Sequence, residues 1–96
     1  MLTVTETWLL FGSHIHQDFL LDHPDVLSGI KEVYTFLSKP EQDELYQILL
    51  EINNGEYSTG FKHKFWRKSG ADFFVVGKGI NALFAEALSA IQQLRQ

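Results

Sequence analysis

Seven apolar residues near the end of the chain, Ile80, Leu83, Phe84, Ala87, Leu88, Ile91 and Leu94, recur at steps of three and four. Only an α-helix brings such positions onto one stripe, and a stripe this wide must be buried against other elements. The rest of the chain supplies candidates for that cover. Val26, Ile30, Val33, Phe36 and Leu37 share the same stepping, as do Leu45, Ile48, Leu49 and Ile52. Phe61, Phe65 and Trp66 fall on one side of a shorter segment, with Lys62, Lys64, Arg67 and Lys68 mostly on the other.

Punctuation between these runs agrees with helices. Thr3-x-x-Glu6 has the form of a capping box, and Gly12 is placed to close a short first helix at about Phe11. Asp22-His23-Pro24-Asp25 reads as a helix start, with Asp22 as cap and Pro24 in the first turn. Ser38-Lys39-Pro40-Glu41 repeats that logic, Asn53-Asn54-Gly55 stops the helix behind it, and Ser58 caps the next, which ends at Ser69-Gly70. Residues 13–21 read as a turn or an irregular packed segment carrying Ile15, Phe19 and Leu20 inward. Ala71 to Val76 is β-branched and aromatic but has no partner strand, so an extended linker accounts for it. The expected architecture is all-α, a single domain over 1–96 built as an irregular bundle of four to five helices, with at most one short extended segment near 72–76.

A chain of 96 residues, 45% of them hydrophobic and 14% aromatic, has the means for one core. Without cysteine, packing alone must hold it together. The longest apolar runs, such as Trp8 to Phe11, fall far short of the ~20 residues of a membrane span. The first residues carry an early acid and no basic region, so the expectation is a cytoplasmic protein without membrane contact.

Charge is divided along the sequence. Residues 1–56 hold ten acids and two bases, residues 57–96 two acids and six bases, giving −8 and +4 of the overall −4. An acidic half is a poor partner for phosphate and a good one for a basic protein. The segment 62–68 leaves open a nucleic-acid-binding regulator, since a capped helix, a turn and a Lys/Arg-rich helix resemble a helix-turn-helix. Against it stand Glu41, Asp43, Glu44 and Glu51 on the preceding helix.

Chemistry is sparse. His14, His16, Asp18, Asp22 and His23 crowd into ten residues, and imidazole with carboxylate is an ordinary zinc donor set. On a helix, however, His14 and His16 point about 200° apart. No serine sits in an activating context, so the expectation is no enzyme, no cofactor and no metal. In His16-Gln17-Asp18 the polar groups suit an irregular backbone, where they satisfy amides and carbonyls that a broken helix leaves unpaired.

The string Phe11-Gly12-Ser13-His14-Ile15-His16-Gln17-Asp18-Phe19, with Leu21-Asp22 after it, resembles the N-terminal signature of a family of contact-dependent growth inhibition immunity proteins. The His-Gln-Asp triplet falls on His16, Gln17 and Asp18 and the following aromatic on Phe19. His14 stands where an aromatic is usual, and Phe19 where tryptophan is more common. The resemblance implies a bacterial stoichiometric inhibitor whose partner is the C-terminal toxin domain, often a nuclease, of a delivered effector. Contacts are then expected on the acidic half, around helices 25–37 and 41–53, at Asp25, Glu32, Asp43, Glu44 and Glu51. Nanomolar binding corresponds to about −12 kcal/mol and an interface of roughly 800 Å² per partner, about one-seventh of the ~5,600 Å² that a protein of this size exposes. Oligomeric state is not fixed by these patterns.

Overall fold

A computed structural model of the chain describes residues 2–15, 26–71 and 77–96. Among them are five α-helices and no strand: α1 (Glu6–Ser13), α2 (Val26–Phe36), α3 (Lys39–Ile52), α4 (Thr59–Lys68) and α5 (Gly79–Leu94). The segment near 72–76 lies outside the described residues, as do Asp22, Phe19 and Leu20. Two residues join α2 to α3 and six join α3 to α4.

The strongly periodic α5 is the hub, packed against α2, α3 and α4, while α1 lies on α3. It buries Ile80, Leu83, Phe84, Ala87 and Ile91 as its spacing requires. Leu94 departs from the expected stripe at 43% exposure, because the helix runs out there and Ala90 completes the buried face one turn earlier. On α3, all four expected positions, Leu45, Ile48, Leu49 and Ile52, are buried. Its start is the reciprocal capping box: Glu41 N–H donates to Ser38 Oγ and Ser38 N–H donates to the Glu41 carboxylate.

Three local expectations are corrected. The first cap is Thr5, not Thr3. Thr5 Oγ1 accepts from Trp8 N–H at 3.2 Å and donates to Glu44 at 2.7 Å, which ties the start of α1 to α3. Thr3 stays exposed in the segment before the helix. Gly12 does not close α1 but lies within it, pressed on the end of α4. A Cβ at this position would stand 2.0 Å from the Ser69 carbonyl oxygen, so only glycine permits the approach. Phe36, read as part of the buried stripe of α2, is 69% exposed. The helix tightens at its end, Leu37 N–H bonding to Tyr34 C=O, and Leu37 and Tyr34 take the buried places.

Those close approaches create an aromatic centre. Trp8 is fully buried and stacks on Phe65 at 4.5 Å and Phe11 at 5.2 Å, while Trp66 meets Phe84 edge-on at 6.0 Å. The Trp8 indole N–H donates to the Phe65 carbonyl at 2.8 Å, one of the last-turn carbonyls that α4 leaves unpaired. Asn53 performs a similar service, donating to Leu49 C=O and, across the interface, to Phe84 C=O. Total exposed surface is 5622 Å², in line with the scaling estimate.

Candidate protein-binding face

The described surface holds one continuous path of unusual character, and it begins on α1. Trp8, Phe11 and Gly12 turn inward, which leaves Glu6, Leu9, Leu10 and Ser13 along the outer stripe. Leu9 is 47% exposed and Leu10 36%. One turn after Leu10, the His14 ring lies against Phe36 of α2 at 6.5 Å between centroids. One turn before Phe36 stands the exposed Glu32. At the other end of α1, Thr5 holds Glu44 of α3. The path therefore runs Glu32, Phe36, His14, Leu10 and Leu9, Glu6, Glu44: apolar in the middle and acidic at both ends.

An apolar centre with a polar rim is the pattern that protein interfaces show, in which the centre excludes water and the rim sets orientation and charge preference. Among the described residues, no three His, Asp or Glu side chains are grouped to hold a metal ion. No helix among them is long and apolar enough to cross a membrane.

The acids expected to make contact separate into two kinds. Glu32 and Glu44 belong to the path. Asp43 is committed to the scaffold: Lys39 Nζ stands 3.2 Å away and Arg95 3.0 Å away. Arg95 also donates to the Tyr34 hydroxyl at 3.0 Å and covers the Tyr46 ring at 4.4 Å, fastening the end of α5 to α2 and α3. Hydrogen bonding from Lys39, and next from Arg95, holds the Asp43 carboxyl below its ordinary pKa. The Ser38 backbone and side chain do the same for Glu41.

Glu51 is half-buried and accepts from the Tyr57 hydroxyl, which in turn accepts from Leu2 N–H at 3.1 Å. That bond to Glu51 pushes the Tyr57 hydroxyl above its ordinary value, since ionising it would set two negative groups together. Asp25 and the His16, Gln17, Asp18 and Phe19 motif lie outside the described residues; His14, the described member of the His and Asp cluster, stacks on Phe36.

Sequence reasoning missed the apolar half of the face. A signal was present: Trp8, Leu9, Leu10 and Phe11 are apolar on all sides of a short helix, and a helix on a protein surface cannot bury every side. Comparison with protein-family models, curated proteins and solved structures gives no match for this chain.

Proposed function

We propose that the chain is an immunity protein that binds and neutralises the C-terminal toxin domain, a nuclease in the favoured form, of a contact-dependent growth inhibition effector. The observation that carries this reading is the exposed Phe36, Leu9 and Leu10 surface rimmed by Glu6, Glu32 and Glu44. An apolar anchor within an acidic rim suits a partner that is basic around an apolar recess, as a nuclease domain is around its nucleic-acid cleft. The His16-Gln17-Asp18 resemblance supplies the biological setting. Inhibition then requires only occupancy, with no catalytic group and no cofactor, and the site of action is the cytoplasm of the producing cell.

The alternative, a nucleic-acid-binding regulator on Lys62, Lys64, Arg67 and Lys68, has weaker support. Lys62 is engaged with Asn81 at 3.0 Å, and the neighbouring cleft is lined by Glu51 and Glu56.

Growth of cells that express the C-terminal domain of the effector encoded beside this chain tests the proposal. Wild-type chain restores growth, and a Leu10→Ala/Phe36→Ala variant of unchanged helicity restores less. Absence of protection by the wild type would overturn the proposal, as would equal protection by the variant.

A further inference from the structure

A second face, whose two clefts are lined by none of the residues of the first path, carries both signs of charge. Residues 2–5 are tied by Leu2 to Tyr57 in the connection between α3 and α4 and by Thr5 to Glu44 of α3, and Leu2 to Val4 line a cleft with α4. Phe61, half-buried and packed on Tyr57 at 4.8 Å, is the common wall of two clefts. One, of about 610 Å³, is acidic, with Glu51 and Glu56 in its lining. The other, of about 460 Å³, has Leu2, Val4 and Phe65 as its apolar lining and Lys64 and Lys68 on it. Among the described residues, the Glu56 carboxylate and the Lys64 and Lys68 ammonium groups have no ion-pair partner.

An acidic cleft and a basic groove on either side of one apolar ridge call for a partner with the reverse order of charge. A second copy of this chain has that order. Rotation by a two-fold axis running along the ridge exchanges left and right, so each acidic cleft meets the lysines of the other copy, while Phe61 meets its counterpart at the axis. We infer that this face is a self-complementary dimer interface, with Lys64 and Lys68 of one copy entering the Glu51 and Glu56 cleft of the other.

The contact is small and its charges are near solvent, so the dimer is weak and sensitive to salt. Because it uses neither Phe36 nor Leu10, it stands or falls independently of the proposed function.

Sedimentation equilibrium across a concentration series up to about 1 mM tests it. At low salt the apparent mass rises toward twice the 11.0 kDa of the chain, and at about 1 M salt, where the screening length is ~3 Å, it returns to the monomer value. Lys64→Glu/Lys68→Glu and Glu56→Lys variants, each of wild-type helicity by circular dichroism, are monomeric alone and associate one-to-one when mixed. Lys78→Glu, which changes an exposed charge that lines neither cleft, dimerises like the wild type. A mass of 11.0 kDa throughout at low salt, or a dimer indifferent to the ridge variants, would overturn the inference.

Discussion

Replacing Gly12 by alanine adds one methyl group to the helix that carries the candidate face, and the structure fixes what that methyl meets. The new Cβ would lie 2.0 Å from the Ser69 carbonyl oxygen, 2.5 Å from its carbon and 2.6 Å from Ser69 Cβ. Ordinary contact begins near 3.4 Å, so α1 and the end of α4 must part by about 1.4 Å. The neighbour is backbone, so no side-chain rotation relieves the clash. Overpacking of this kind costs about 1–3 kcal/mol. Separation also stretches the 2.8 Å bond from Trp8 to the Phe65 carbonyl, a further ~1 kcal/mol. Against this, alanine recovers up to ~1 kcal/mol of helix propensity. With that full recovery the net loss is about 1–3 kcal/mol out of a total near 5–14 kcal/mol for a chain of this length. In thermal melts followed by circular dichroism, the midpoint should fall by about 4–24 °C. Gly60→Ala is the control, because its Cβ meets only Ser58 Oγ at 3.8 Å and its helix should gain a few tenths of a kcal/mol to ~1 kcal/mol. If Gly12→Ala melts at or above the wild-type temperature, the close approach of α1 to α4 is wrong.

Other consequences follow from the same contacts. Trp8→Phe keeps the stacking on Phe65 but leaves that carbonyl buried and unpaired, and urea titration should register a loss of about 1–3 kcal/mol. Ser38→Ala removes the reciprocal cap of α3 and should cost about 0.5–2 kcal/mol in the same assay. Asp43 and Glu41 have folded-state pKa values below their ordinary ones, so their contribution is fully present above the unfolded values and is lost as pH falls through the folded ones. The urea midpoint should therefore drop on acidification below the ordinary carboxylate range, and an Asp43→Asn/Glu41→Gln variant should show a shallower drop. Glu32→Lys/Glu44→Lys should slow association with the toxin domain and flatten its salt dependence in stopped-flow kinetics, with unchanged rates clearing those residues.

What was legible in the sequence is what local chemistry decides. The start of α3 follows from Ser38 and Glu41 three residues apart, its stop from Asn53 to Gly55, and the buried stripe of α5 up to Ile91 largely from spacing, with Leu94 the exception. The misread positions depend on another part of the chain. Thr5 rather than Thr3 starts α1 because Glu44, far along the sequence, receives its hydroxyl. Gly12 looks like a helix terminator until Ser69 is set against it. Phe36 satisfies the periodicity of α2 as well as Leu37 does, and only the tightened end of the helix decides between them. The site was half legible for the same reason. Charge is written in the residue types, so Glu32 and Glu44 stood out, but Asp43 shows no sign in the sequence of its bond to Arg95. Exposure of Leu9 and Leu10 is a property of the packed molecule.

On the proposed function, this chain acts by covering another protein with the face around Phe36. Titration calorimetry against the C-terminal toxin domain of the proposed effector measures this binding. A one-to-one complex of nanomolar affinity, weakened at least about 30-fold by Phe36→Ala, is the expected result for an anchor worth 2 kcal/mol or more. Heats indistinguishable from dilution, or an affinity untouched by Phe36→Ala, would contradict it.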